Sequence, residues 1–376
     1  APGHRDFIKN MITGASQADV ACLMVPADGN FTASIAKGNP KQGIIQGQTR
    51  QHARLINLLG VKQLIVCINK MDAKAPGYKQ GYDQDRYTEI KNEVTSTLAK
   101  VGWKKDFIAK SVPIIPISGW HGDNLLEESS NLSWWKGVDV VNTAGDKIHV
   151  HTLLHALNDF VLPPERDLDA AIRMPVSGVY KIKGVGDVIS GCIEQGLVTK
   201  GLDVKFVPSH QEKMPCKGKV FSIEMHHKNV EQAPAGFNVG LNVKNLSKEN
   251  MPKVGDVMVL ANDSALGPVK NFTAQVQILD HPGQLKVGYC PIAFVRTGRA
   301  PVRLEEIKWK MGKETGGKKA PSPAYVKAGE VGEVVFAPKQ PFTCEGFKKC
   351  EGLGRLAIME GNGVVMLGKI TKVEYN

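Results

Sequence analysis

No apolar run in the 376 residues approaches the roughly 18 needed to cross a membrane as a helix. The opening residues, Ala1-Pro2-Gly3-His4-Arg5-Asp6, lead into no apolar h-region, which argues against a secretory signal, and no Met starts the chain. No CxxC pair occurs and the cysteines number seven, an odd count, so neither a zinc site nor a disulfide framework fits. Free thiols in a reducing cytosol are the reading that remains. Gly (39) and Pro (21) are too few for a collagenous or low-complexity chain and enough for many turns. What is present has the balance of an ordinary soluble protein, 42% apolar and 23% charged, at a length that predicts two or three domains. The net charge is +11, and +7 of it falls in residues 266–376. A basic last third suggests a polyanionic partner, with a solvated Lys-rich face as the competing reading.

Up to residue 165 short apolar runs alternate with helical patterns. Residues 20–25, 63–68 and 112–117 are near-continuous apolar runs, the signature of buried parallel strands. Residues 48–59, 87–101 and 151–162 carry apolar side chains at helical spacing, the last stopping at Pro163-Pro164. This alternation predicts an α/β doubly wound domain. Beyond Pro164 the texture becomes short β-like segments punctuated by Gly, at 176–182, 188–193, 204–207, 219–225, 239–243 and 257–260. Residues 262–268 read as a linker, after which β texture resumes at 272–279, 290–295, 331–336, 353–359 and 364–372, with 312–323 as a polar basic loop. Two small β-barrels after one α/β domain are expected.

Asn69-Lys70-Met71-Asp72 directly follows an apolar strand, where open α/β sheets bind ligands. It matches the NKxD tetrapeptide by which GTPases read guanine. A carboxylate at Asp72 can accept from guanine N1–H and the 2-amino group, which adenine cannot offer, so a mismatch leaves a buried acceptor unpaired. The stem of Lys70 can lie over the base and the Asn69 amide can brace the next loop. As four letters the motif could equally be a strand-end turn. Ser118-Gly119-Trp120 follows the next apolar strand, and its position is what gives it weight: such a loop supplies a backbone N–H to guanine O6 and a Ser that steadies the Asp. Gly184-Val185-Gly186 lacks a third Gly at dinucleotide-binding spacing and reads as a barrel turn.

Several of these segments together resemble the elongation factor 1-alpha family of translational GTPases. The resemblance is carried by 1–25, 60–72, 116–124, 179–188, 224–245, 272–289 and 353–370, in family order and over nearly the whole chain. Residues 25–31, 133–140 and 294–302 look more like the elongation-factor-like variant of unicellular eukaryotes. Ala1-Pro2-Gly3-His4 resembles the tail of the family's D-x-P-G-H motif, which implies a γ-phosphate contact by the Gly3 amide and His4 as the catalytic residue that orients the attacking water. The family's P-loop, G-x-x-x-x-G-K-[ST], has no match in the 376 residues. The sequence is therefore expected to be an N-terminally truncated piece, inactive by itself, whose Mg²⁺ ligands lie upstream of Ala1 and which holds no metal of its own.

The resemblance implies a partial GTP-binding domain over 1–164, a β-barrel over 165–262 and a second over 268–376. It implies GTP and GDP with Mg²⁺ as ligands, and aminoacyl-tRNA, the ribosome and a guanine-nucleotide exchange factor as partners, for a cytoplasmic monomer with no membrane association. In the second domain it places the pocket for the terminal adenosine and aminoacyl group on Glu224, His226 and Asn238, where a carboxylate can read ribose hydroxyls, an imidazole can stack and an amide can bond the amine. A zinc reading of His226-His227 fails, because adjacent residues on a strand point to opposite faces. Lys308, Lys310, Lys313, Lys318 and Lys319 could meet an RNA backbone or be a solvated loop. The alternatives are a release-factor or ribosome-rescue GTPase of the same architecture or, if Ala1 is the true N-terminus, a non-enzymatic tRNA- or cytoskeleton-binding protein.

Overall fold

The three apolar runs of the first half form a parallel sheet in the order β1 (Val20–Pro26), β2 (Gln63–Asn69), β3 (Ile114–Pro116). The computed structural model describes residues 11, 14–15, 18–38, 47–279, 281, 283–361 and 363–376, in two units, Ala1–Pro164 and Glu165–Asn376. His4 and Gly3 lie outside the described residues. Leu64 to Ile68 are fully buried, which is why β2 reads as an unbroken apolar run rather than an alternating one. β3 is shorter than the run that predicts it, because Pro113 and Pro116 bring no N–H to a ladder.

Helix α1 (Phe31–Ile35) follows β1, and α2 (Gln48–Leu59) occupies the expected span. Gly60 ends α2 at φ 82°, a left-handed conformation that suits Gly. Helix α3 (Gln84–Lys100) begins earlier than its apolar pattern, because the Asp83 carboxylate caps it by accepting from Asp85 N and Arg86 N. Helix α4 (Lys105–Ser111) precedes β3. A hairpin of β4 (Val138–Val141) and β5 (Lys147–Val150), which the sequence pattern did not announce, follows. The helix expected over 151–162 is instead a short α5 (Leu153–His155) capped by Thr152 and widened into a π-turn over Ala156–Phe160. Val161 N–H closes on Ala156 O, five residues back, just before Pro163 removes the next donor. Ile65, Cys67, Ile115, Ile117, Val140, Val150, Ala156 and Phe160 form the core between the sheet and these last elements.

The second unit contains two closed barrels. The first is built from β6 (Met174–Ile182), β7 (Gly186–Cys192), β9 (Asp203–Val207), β10 (Lys217–Met225), β13 (Asn238–Lys244) and β14 (Val257–Leu260). The order is β10-β13-β7-β6-β14-β9, and pairing of β9 with β10 closes the ring. The short strand β11 (Lys228–Val230) pairs with β10, and β8 (Leu197–Thr199) and β12 (Gln232–Pro234) pair with each other as a separate two-stranded sheet. The second barrel runs β16 (Ile292–Val295), β20 (Arg355–Glu360), β21 (Gly363–Tyr375), β15 (Val269–Ile278), β19 (Val331–Pro338), β17 (Gly298–Met311), closed by β16 on β17, with β18 (Ala320–Pro321) beside β17. Closure leaves neither six-stranded ring with a free edge.

The two barrels share core at a seam. Val207, Val257 and Val259 of the first pack into the cluster of the second. Arg173, 2% exposed, donates from Nε to Glu345 Oε2 at 2.8 Å, from Nη2 to Glu345 Oε1 at 3.3 Å and from Nη1 to Asp263 Oδ2 at 2.6 Å. Arg296 pairs with Glu194 beside it.

Candidate functional site

The carboxyl ends of the parallel strands carry the residues predicted to read a base. Pro26 of β1 stands opposite Asn69 of β2, and Ala27 N–H donates to Asn69 O at 2.8 Å, so the loops after both strands start side by side. Asn69 Oδ1 accepts from Lys70 N at 2.7 Å and from Gly119 N at 2.9 Å. One side-chain oxygen thus ties the loop after β2 to the loop after β3. A Cβ on Gly119 would come 3.4 Å from that same oxygen, an ordinary van der Waals contact. Lys70 turns the chain at φ 64°.

Ser118, fully buried, donates its hydroxyl to Asp72 Oδ1 at 2.5 Å and accepts from His121 N at 3.2 Å. The half-buried Asp72 keeps Oδ2 free of any donor among the described residues. The sequence places the stem of Lys70 over a base; the structure adds that its ammonium is anchored, 2.7 Å from Asp28 Oδ2. Burial raises the Asp28 carboxyl, but Lys70 and the Asn30 donors outweigh it and hold it below the usual range. Trp120 does not join this network through its ring, which is 87% exposed. Its backbone N–H meets no acceptor among the described residues.

Behind this cradle stands Asp123, which the sequence reading did not single out. It accepts from Tyr82 Oη at 2.7 Å, Ser129 Oγ at 2.6 Å and Asn131 Nδ2 at 3.1 Å, while its carbonyl accepts from Ser118 N at 3.1 Å. Trp134 Nε1 donates to Tyr82 O at 2.8 Å. These bonds lock the loop after Asp72 to the loop carrying Ser118. Only the spacing of a Tyr and an Asp around the two motifs could have hinted at it.

A guanine base fits this arrangement: one carboxylate oxygen is held and the other open, between a braced backbone and an anchored lysine stem. Magnesium does not find a comparable set, since no three His, Cys, Asp or Glu among the described residues are placed to hold a metal.

The second site lies on the first barrel. Glu224, His226, His227 and Asn238 line one cavity of about 620 Å³ with Ser177, Ser190, Gly236 and Phe237. The structure therefore brings Glu224, His226 and Asn238 together although the first two lie on β10 and its turn and the third starts β13. The histidines are not on a strand, as the sequence reading supposed. Met225 pairs with Lys228, so His226-His227 form the two-residue turn between β10 and β11, with φ 51° and 60°. Both positions of such a turn need positive φ, a conformation that usually selects Asn and Gly. The turn lifts both imidazoles off the sheet, so the argument from opposite strand faces does not apply. His226 meets Phe237 edge-on at 5.9 Å and His227 lies 3.9 Å from Glu224.

The basic stretch of the second barrel divides in two. Lys313, Lys318 and Lys319 are exposed. Lys310 is buried, 3.0 Å from Glu330 and 3.5 Å from Glu314, with its ammonium over Tyr325, and so belongs to the fold rather than to a surface.

Three family models match the chain in order: the elongation factor Tu GTP binding domain over residues 1–163, elongation factor Tu domain 2 over 186–259, and a GTP-eEF1A C-terminal domain-like module over 271–371. Along its whole length the chain is 42% identical to an elongation factor 1-alpha of Mucor circinelloides f. lusitanicus, of which it covers 76%. Solved structures of Sup35 with GDP and with GMPPNP are similar at 25% and 26% identity, each with a TM-score of 0.50 over 96% of this chain and 80% of theirs.

Proposed function

Since the chain belongs to the elongation factor Tu and elongation factor 1-alpha family of translational GTPases, we propose that it delivers aminoacyl-tRNA to the ribosome, with guanine read at the strand ends and the aminoacyl end held on the first barrel. The family hydrolyses GTP, and its GTP-binding module binds guanine nucleotides. The observation that carries the finer reading is the convergence of Glu224, His226 and Asn238 on one cavity.

At the base, the open oxygen of Asp72 accepts from N1–H and the 2-amino group while Ser118 holds the other. Asn69 is committed to the backbone of Lys70 and Gly119, so its role is to fix the loop, and the stem of Lys70 covers the base with its head on Asp28. Gly119 N–H is already given to Asn69, so the O6 donor is assigned to the backbone N–H of Trp120. Gly3 and His4 keep the roles their motif implies, γ-phosphate contact and orientation of water. Magnesium, where bound, would neutralise phosphate charge. No P-loop sequence is present to assign to phosphate.

At the acceptor end, the Glu224 carboxylate takes the ribose hydroxyls of the terminal adenosine, His226, edge-on to Phe237, stacks on or bonds the acyl end, and Asn238 bonds the α-amine. The partners proposed are aminoacyl-tRNA, the ribosome and a nucleotide exchange factor, with the chain acting as a cytoplasmic monomer. Among the described residues no helix is long and apolar enough to cross a membrane.

The likeness to Sup35 supports a second reading, a release-factor GTPase. Programmed ribosomes separate the two. With the full-length protein, GTP and phenylalanyl-tRNA, delivery predicts A-site occupancy and GTP turnover that depend on the charged tRNA. Stimulation of peptidyl-tRNA hydrolysis at a stop codon, without A-site delivery, would establish the release reading.

A further inference from the structure

The cavity that gathers Glu224, His226 and Asn238 has a carboxylate and two imidazoles in its lining, but none of the described residues lining it is a lysine or an arginine. A terminal adenosine carries a phosphate as well as a ribose, and phosphate is held chiefly by positive charge. The cation therefore has to come from a segment beside the cavity.

Arg166 is that cation. Its segment is pinned to the first barrel. Asp167 O accepts from Gly196 N at 2.8 Å, and Asp167 Oδ1 accepts from Asp169 N at 3.1 Å and Ala170 N at 3.0 Å. The Arg166 side chain then runs along Gly236, which lines the cavity. A Cβ on Gly236 would come 3.2 Å from Arg166 Nε, 3.6 Å from Cγ and 3.8 Å from Cδ. Gly236 has φ 95°, the region that favours glycine, and its bare backbone leaves room for the arginine to lie against it. The wall itself is fixed. Gly236 N donates to Ile193 O at 2.7 Å, and Phe237 O accepts from Ile193 N at 3.0 Å.

We propose that Arg166 binds the phosphate joining the last two nucleotides of aminoacyl-tRNA. The proposal rests on the reading of this cavity as the acceptor-end site. The end of the tRNA is then held at three points: ribose on Glu224, aminoacyl group on His226 and Asn238, phosphate on Arg166. A guanidinium offers paired N–H donors in one plane, which match two phosphate oxygens. A lysine there would supply the charge without the pairing. The arrangement also sets the direction of the single strand, with its phosphate at Gly236 and its final ribose at the carboxylate. The rival cation is Lys228, exposed next to His227 at the start of β11.

The test is binding of charged tRNA to the full-length protein with GTP across a range of salt. Arg166→Ala is expected to bind about tenfold more weakly. Its slope of log affinity against log salt should be shallower by about 0.7, the value of one single-strand phosphate contact. Arg166→Lys should keep the parent slope and recover part of the affinity, which a merely structural role would not give. A neutral methylphosphonate at the last linkage should weaken the parent and leave Arg166→Ala unchanged. Thermal melting of each variant separates lost binding from lost fold. An unchanged slope in Arg166→Ala, or a further loss with the methylphosphonate equal to the parent's, would overturn the proposal. So would a shallower slope found in Lys228→Ala instead. A parent protein that does not prefer charged over deacylated tRNA would overturn the acceptor-end reading itself. A parent that does, beside an unaltered Arg166→Ala, would overturn only the assignment of Arg166.

Discussion

Asp72 is the residue on which base selection turns. Its Asn variant presents an amide N–H where guanine also presents donors. Each unmet buried donor costs about 1–3 kcal/mol, so GDP affinity of Asp72→Asn is expected to fall at least about tenfold. Xanthine nucleotide, with a carbonyl in place of the 2-amino group, should gain relative to guanine. Competition binding with the two nucleotides measures both changes, and equal loss of both would argue against the assigned contact. Asp123 gives a pH signature. Burial raises its carboxyl, but Ser129, Tyr82 and Asn131 outweigh this and hold it low. A folded value below the unfolded one of about 3.9 stabilises the fold above that pH, and the contribution is lost as pH falls through the folded value. Denaturant titrations between about pH 5 and 2 should therefore show a shallower acid loss for Asp123→Asn than for the parent chain. Asn69, Lys70 and Asp72 were legible because a four-residue motif follows an apolar strand. Asp28 and the Tyr82–Asp123 pair were not, because each partner lies some 40 residues away and leaves no local pattern.

At the scale of elements, the turn carrying His226 and His227 is the clearest conflict between local preference and placement. Two imidazoles sit where Asn-Gly would be relaxed. Left-handed conformation costs a non-Gly residue on the order of 1 kcal/mol or more. Replacing the pair by Asn-Gly should raise the denaturation midpoint while weakening binding of aminoacyl-tRNA, since the ring that faces Phe237 is gone. A variant that is stabilised and binds unchanged would take His226 out of the proposed site. The six-stranded rings explain what the sequence pattern showed and hid. Most strands were visible as short apolar segments between turn signals. β17, the longest at 14 residues, was not. Its pairing with β19 shifts register between Leu304 and Glu306 and again between Ile307 and Trp309. Each bulge breaks the alternation by which a strand is recognised, leaving Glu305 and Glu306 exposed in succession. Likewise Val138–Val141 and Lys147–Val150 form a partly exposed hairpin too weakly apolar to stand out.

At the scale of the whole molecule, the seam between the barrels makes the second unit one body. Arg173→Ala would leave Glu345 buried without its cation, a loss of about 3–5 kcal/mol. Urea unfolding is the measurement, and a loss below about 1 kcal/mol would show that the seam does not depend on the pair. A Gly352→Ala variant tests the neighbouring contact, since a Cβ there would lie 2.1 Å from Glu194 Oε2. The arrangement of one α/β domain and two barrels was legible from texture alone. The seam was not, because charged residues at 173, 194, 263, 296 and 345 look like surface residues until the chain brings them together. The most direct test of the account is equilibrium binding of charged against deacylated tRNA by the full-length protein in the presence of GTP. Preference for the charged form, lost in Glu224→Ala and Asn238→Ala with GTP affinity intact, is the predicted result. Equal binding of both tRNAs would contradict it.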